Sequence, residues 1–184
     1  MPIVNLPSVR QYGIISYELA ANRAHQSVAM QPVQDKRDQK AVPQGLRLHQ
    51  YANLYFHARN PMMYKRKDEA GALCVLRVSI DVLRIPGTVV ADQNAASDYV
   101  RFLAPSQMDR LLNYDRIFAL DWRDPDKITY WQKKATRCAE VLVPQRVNVA
   151  LITGAYARDN AVARAIRAAW PELPLTIDPD LFFS

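Results

Sequence analysis

The 184-residue sequence holds only five glycines, two cysteines and three histidines. Five scattered glycines build neither a GxGxxG turn nor a GxxxxGK[ST] loop, which excludes a Rossmann dinucleotide domain and a P-loop NTPase. No GxSxG elbow occurs. Neither cysteine sits beside a histidine, and there is no CxxC, so a thiol nucleophile and a zinc site are not expected. Cys74 (in ALCVLRV) and Cys138 (in RCAEVLV) lie in apolar runs, where a buried free thiol is the expected state. No apolar run approaches the length of a membrane span, and no basic-then-apolar leader is present. The expectation is no membrane partner and a reducing cytoplasm.

What is present is ordinary globular composition, 49% hydrophobic and 23% charged, in a length that suits one domain over residues 1–184. Lys and Arg outnumber Asp and Glu by 24 to 18, a net charge of +6. That balance favours anionic partners such as nucleic acid or nucleotides, although many basic proteins are merely basic. NLPSVRQYG (5–13) reads as a short helix, with Asn5 as cap, Pro7 in its first turn and Gly13 as its stop. QPVQDKRDQK is a short helix opened by Pro32 or a loop. LRLHQYANLYF reads as extended and PMMYKRK as a helical turn or two. ALCVLRVSI (72–80) is the clearest buried strand, TVV (88–90) a short one, SQMDRLL (106–112) a helix capped by Ser106, and RIFAL (116–120) extended. DPDKITYWQKKATR is a polar helix or long loop before the strand CAEVLV (138–143), which Pro144 ends. VALIT (149–153), the helix 157–170 and LTI (175–177) complete an irregular order that indicates an α+β fold.

Two positions stand out chemically. In YANLYFHARNPMMY (51–64), Arg59 interrupts a run of Tyr, Phe, His and Met. A guanidinium amid apolar surface either pairs with a core carboxylate or anchors a phosphate, since it is planar, permanently charged and bidentate. Glu140 lies on the CAEVLV strand, where alternation turns Cys138, Glu140 and Leu142 one way and Ala139, Val141 and Val143 the other. A carboxylate on a partly apolar face is costly unless it works or is paired; a glutamate facing water at a sheet edge is the alternative. Trp131 with Lys133, Lys134 and Arg137 is a composition that can stack a base and neutralise its phosphates. His49 and His57 lack partners at ligand spacing and read as structural. Arg158, Arg164 and Arg167 read as a solvated helix face.

Together these stretches resemble the DarT family of DNA ADP-ribosyltransferase toxins. NLPSVRQYGI is similar to the family's first helix, SVAMQPVQDKRDQK followed by GLRLHQYANLYFHARNPMMY to its most distinctive segment, and DQNAAS, IFALDW and CAEVLVP follow in the family's order. The resemblance implies an ADP-ribosyltransferase fold, two small bent β-sheets around an NAD cleft with flanking helices. It implies transfer of ADP-ribose from NAD, a substrate, onto a base of single-stranded DNA, commonly thymidine, and no metal. It implies that Arg59 and Glu140 are catalytic, that Asn5, Tyr51 and Arg59 contact NAD, and that residues 121–137, with Trp131, Lys133 and Lys134, meet the DNA. The implied protein partner is a macrodomain antitoxin of the DarG kind. The family's His-x-Thr motif would precede NLPS, with its Thr falling at Met1. That leaves a start assigned too late, a short natural protein or weakened NAD binding as the readings. The alternative function is a catalytically silent relative that binds nucleic acid or a partner protein. A basic nuclease has no acidic metal cluster behind it.

Overall fold

CAEVLV supplies the strand around which the other elements are arranged. The computed structural model describes residues 1–183. In chain order these form α1 (Leu6–Tyr12), β1 (Ile14–Ile15), α2 (Tyr17–Ala20), α3 (Gln31–Asp38), β2 (Tyr51–Tyr55), α4 (Pro61–Lys65), β3 (Val75–Val78), β4 (Val89–Ala91) and β5 (Phe102–Leu103). There follow α5 (Met108–Leu111), α6 (Tyr114–Ile117), α7 (Lys127–Thr136), β6 (Glu140–Pro144), β7 (Arg146–Val147), β8 (Ile152–Ala157), α8 (Asn160–Ala169) and β9 (Leu175–Ile177). The α+β expectation holds. A four-stranded antiparallel sheet runs β2-β6-β4-β5, a three-stranded sheet β3-β8-β9, and β1 pairs with β7 as a small ribbon.

Strand β6 is central, hydrogen-bonded to β2 on one side and β4 on the other, and its first four residues are buried. Its β-branched and apolar residues suit a strand covered on both faces. Ala139, Val141 and Val143 pack with Ala52, Val90 and Leu103, while Leu142 packs oppositely with Leu48, Tyr51 and Ala91. The alternation read from sequence is therefore correct, and Glu140 shares the face of Leu142. Between the two larger sheets lies a cavity of about 470 Å³, with Leu54 and Phe56 on one side and Leu76, Val78 and Tyr156 on the other.

The remaining core lies between α1, β8 and α8. Asp159 caps α8 by accepting the Val162 N–H at 2.9 Å, and Val162, Ala163 and Ile166 turn one face onto Leu6, Val9 and Ala155. Arg164 and Arg167 are exposed, as a solvated face requires. No helix among the described residues is long and apolar enough to cross a membrane.

Several elements differ from the sequence expectation, and side-chain caps account for most of the differences. RIFAL is not extended: Asn113 accepts the Arg116 N–H and winds residues 114–117 into α6. The strand expected over 72–80 shrinks to β3, because a 3-10 turn occupies Lys67–Ala72 and Ser79 caps another over Ile80–Arg84. Asn148 likewise turns residues 149–151 into a 3-10 helix before β8. Ser106 caps nothing; the Gln107 side chain accepts the Ala104 N–H instead. Asn5 does not cap α1, since its side chain bonds the backbone of Gln26 in both directions, at 2.8 and 2.9 Å.

Gly13 stops α1 as expected, with φ +78° and ψ −169°, a region essentially confined to glycine. A Cβ there would lie 2.0 Å from the Val147 carbonyl oxygen. Gly13→Ala is therefore expected to destabilise the protein by at least about 2 kcal/mol, strain and clash together. Urea unfolding of the two proteins measures this directly.

Candidate active site

Glu140 opens β6 and stands directly across from Tyr55 on β2 and Ala91 on β4. Its side chain is completely buried, which removes the reading of an edge glutamate facing water. Burying a carboxylate requires donors, and three separate parts of the chain provide them. Arg37 Nη1 donates to both oxygens at 3.1 and 3.2 Å, Asn53 Nδ2 to Oε2 at 2.8 Å, and the Ala95 N–H to Oε1 at 3.0 Å. Arg37 is itself only 4% exposed. Its Nη2 is buried and has no partner.

The local sequence explains each donor. Pro32 starts α3, and Val33, Gln34 and Arg37 lie on its inner face at helical spacing. Asn53 lies between Tyr51 and Tyr55 on the face of β2 that meets Glu140. The 94–98 loop that carries the Ala95 N–H is held by Lys40. Lys40 Nζ donates to the Ala96 and Ser97 carbonyls at 2.9 and 2.8 Å and to Asp98 Oδ1 at 2.8 Å. The Lys40 hydrogen bond holds the Asp98 carboxyl below its usual range. One segment, residues 37 to 40, thus supplies the cation on Glu140 and anchors the loop above it.

Asn53 also borders a cavity of about 260 Å³ lined by Met1, Val28, Tyr55, Ala58, Asn60 and Met62 among others. Burial, then the charge of Glu140, pushes the Tyr55 hydroxyl well above its ordinary value, so it stays a proton donor. Val28 is positioned from outside: its carbonyl accepts from Arg66 Nη2 at 2.8 Å, and Asn5 grips the neighbouring Gln26 backbone. Met1, where the family resemblance aligns a threonine, lies on this cavity. Tyr51 lies deeper, 2% exposed, with its hydroxyl accepting the Leu46 N–H at 3.1 Å.

Arg59 is not among the groups bonded to Glu140. Its Nη1 donates to the Asp180 and Phe182 carbonyls at 2.9 and 2.6 Å, and its guanidinium lies 4.2 Å above the Phe183 ring. It borders a different cavity of about 540 Å³, with Tyr64, Leu120, Asp121, Trp122, Arg123, Tyr130 and Phe183. The carboxylate partner and the arginine expected to work with it thus face different spaces, and the arginine at the glutamate is Arg37. A weak signal for it existed, the helical face continuing from Val33, but it lay inside a run of polar residues.

The turn between the two spaces is tightly held. Asn60 Nδ2 donates to the His57 carbonyl at 3.0 Å, and Asn60 Oδ1 accepts from Met62 and Met63 to start α4. The Arg59 N–H donates to His57 Nδ1 at 3.0 Å. Arg137, 1% exposed, donates to the Arg59 carbonyl and to the Ile117 carbonyl at the end of α6. Its guanidinium has no carboxylate partner and acts as a strut between two backbone segments. Trp131 is exposed, with Lys134 Nζ 4.7 Å from its ring centre. Lys133 is engaged elsewhere, donating to Asp124 at 2.7 Å. Cys138 is buried, and its thiol is pushed up to about 12 by burial and then by Glu140, which makes it unreactive. Among the described residues no group of three His, Cys, Asp or Glu side chains is placed to hold a metal ion.

Comparison with known proteins adds the following. The family model described as ssDNA thymidine ADP-ribosyltransferase, DarT, matches residues 1–183. A fusion protein of Thermosipho africanus, named as DNA ADP-ribosyl transferase–DNA ADP-ribosyl glycohydrolase, is 30% identical over 196 residues, covering 98% of this chain and 47% of the relative. The chain therefore spans about half the length of that relative. The structure of Thermosipho africanus DarTG in complex with ADP-ribose superposes with a TM-score of 0.82 at 27% identity, covering 99% of this chain and 49% of that one. Thermus DarT with ADP-ribosylated ssDNA gives 0.86 at 23% identity, over 100% of this chain and 93% of that one. The same protein with NAD+ gives 0.81 at 21% identity, over 100% and 94%. At these identities the Thermus structures speak to the fold, which they share.

Two expectations follow from the geometry. Removing one member of the Arg37–Glu140 pair leaves the other charge buried and uncompensated, which typically costs about 3–5 kcal/mol. Arg37→Met should therefore destabilise more than the double variant Arg37→Met/Glu140→Gln, as denaturant unfolding will measure. His57 titrates below its ordinary 6.5, through burial and then Arg137. The unfolded chain accordingly binds more protons just under that pH, and stability falls as pH drops through the window. His57→Gln should lose less stability than the parent between about pH 7 and pH 5.

Proposed function

The chain belongs to the DarT family, and on that premise we propose that it transfers ADP-ribose from NAD to a thymine base in single-stranded DNA. The observation that carries this reading is the buried Arg37–Glu140 pair, bonded through Asn53 to the edge of the 260 Å³ cavity. In this reading the cavity admits the nicotinamide riboside end of NAD, with Tyr55 as a wall. Glu140 and Arg37 are the reacting pair, and Asn53 orients the carboxylate. Asn5 acts through the Gln26 segment it grips, and Tyr51 supports Glu140's face from below. Arg59 belongs to the DNA side, as do Trp131 and Lys134. The protein works as a single domain in the cytoplasm, where NAD and transiently unpaired DNA meet. Its partners are single-stranded DNA and an antitoxin of opposite activity, of the macrodomain type, for which the glycohydrolase half of the Thermosipho fusion is the support.

The chemistry follows from the charges. The ribose C1′–N bond breaks with its electron pair leaving on nicotinamide, and positive charge grows on the ribose. A fixed carboxylate beside that carbon stabilises the developing cation, and because its donors are already in place it does so without reorganisation. Arg37, held through Nη1 alone, keeps Nη2 for an oxygen of NAD, which would end the one unsatisfied donor beside Glu140. The thymine nitrogen then bonds to C1′ and gives up its proton, for which Glu140 is the assigned acceptor. Among the described residues no carboxylate lines the cavity itself, and Glu140 is the one bonded to its edge, through Asn53. Holding base and ribose in line accounts for much of the barrier, since orientation alone supplies about 7–11 kcal/mol in favourable cases.

Incubation with NAD and a thymine-containing oligonucleotide should add the mass of one ADP-ribose to the DNA, and an otherwise identical strand without thymine should stay unmodified. Glu140→Gln is expected to lower the rate by about a thousandfold, the scale of removing a preorganised electrostatic group. A folded protein that binds the oligonucleotide, shows no heat with NAD and leaves thymine unmodified would be the silent binder instead.

A further inference from the structure

The 540 Å³ cavity takes no part in the reaction just described, yet it has the composition of a ligand site. Tyr64, Trp122 and Phe183 meet edge to face, with ring centres 5.1 to 5.9 Å apart and planes at 75° to 86°. Trp122 is buried behind this cluster and Arg59 lies over Phe183, which leaves Tyr64 as the ring open to a ligand. Tyr64 is about half exposed, with 48% of its surface open, although it lies in an aromatic cluster. Arg59 completes the wall, and it is bonded only to carbonyls. Among the described residues it forms no ion pair, and the carboxylate on the same cavity, Asp121, is paired with Arg123. An exposed aromatic ring beside a guanidinium is what an unstacked base and its phosphate require.

The position relative to Glu140 limits which base it is. The 57–60 turn divides the two cavities residue by residue: Ala58 and Asn60 line the smaller one, and Arg59 the larger. Arg137 and Asn60 hold that turn rigid, so the two spaces are neighbours with a fixed partition. From the larger cavity, Tyr130 leads on to Trp131 and Lys134 on α7, which extends the aromatic and basic surface away from Glu140.

We propose that this cavity holds an unstacked nucleobase of the acceptor strand that flanks the modified base, so that Tyr64, Trp122 and Arg59 set the sequence context of the reaction. The proposal rests on the reading of the chain as a DNA-modifying enzyme, and the modified thymine itself sits on the Glu140 side of the turn. The other source of a nucleobase is the adenine end of NAD. The site's separation from the Glu140 cavity and its continuity with Trp131 and Lys134 favour the DNA strand.

The test measures equilibrium binding of a short fluorescent oligonucleotide with one central thymine, in the absence of NAD. Each flanking position is replaced in turn by an abasic sugar. One flanking abasic site should weaken binding to the parent protein roughly tenfold, the size of one lost base–aromatic stack. In Tyr64→Ala the same abasic site should cost less than about twofold, and Tyr64→Phe should restore the full effect. Tyr64 is exposed enough to be changed without unfolding, and a thermal melt of each variant checks this. Equal abasic penalties in parent and Tyr64→Ala at every position would overturn the proposal. So would a Tyr64→Ala protein whose oligonucleotide binding is intact while its NAD affinity drops, which would assign the cavity to adenine. Transfer activity is scored separately: discrimination without transfer would sink the enzymatic reading and leave the base site standing.

Discussion

A single buried carboxylate organises this protein. Glu140 is placed in the central strand of the larger sheet, where no water can solvate it, and an unpaired charge there would cost more than a domain of this size has to spend. Its burial therefore requires α3, β2 and the 94–98 loop to converge on one point. The four hydrogen bonds come from residues as far apart in sequence as Arg37 and Ala95. Lys40 makes the convergence mutual, since the same segment that brings Arg37 also clamps the loop that brings Ala95. A buried ion pair of this kind is weak evidence for stability, because apolar residues of like volume often do as well. Its retention makes physical sense as preorganisation: the carboxylate is paired, aimed and bonded through Asn53 to the edge of a cavity before any substrate arrives.

A second cation does a different task by similar means. Arg137 is buried without any carboxylate and spends its hydrogen bonds on the carbonyls of Arg59 and Ile117. That fixes the turn at residues 57–60 against the end of α6, and with it the wall between the two cavities. A buried charge with no carboxylate partner among the described residues is costly, and burial draws the Arg137 pKa below its usual value. The return is geometric: the wall between the two cavities is held in one place.

Much of this was legible in the sequence where local rules decide. The face of Glu140 followed from alternation in CAEVLV, the end of α1 from Gly13, and the fold class from the order of elements. The residues that escaped are those whose role depends on contacts distant in sequence. Arg37 sat in QPVQDKRDQK, a polar stretch that read as a short helix or a loop with no inner face; only the arrival of β6 beneath it makes one face an interior. Arg59 was singled out from sequence, and the structure places it on the wall of the larger cavity and not at Glu140. Its aromatic surroundings correctly signalled a cavity wall, but composition cannot say which of two adjacent cavities a side chain enters. Asn113, Asn148 and Ser79 each wound a few residues into turns where apolar runs suggested strands, since a cap adds a specific hydrogen bond that a propensity sum does not contain.

Arg37 rather than Arg59 is bonded to Glu140, and on the proposed function the two arginines take separate tasks. In the proposed reaction NAD meets a fixed cation in a nearly dry place, and Arg37, buried and bonded through one nitrogen, would offer the other without further reorganisation. On the same proposal a single strand of DNA enters from solvent and leaves again, so its cation has to be reachable. Arg59, only partly buried and laid over Phe183, would meet that requirement. The turn that carries Arg59 stands between the two spaces, with Ala58 and Asn60 on the smaller cavity and Arg59 on the larger.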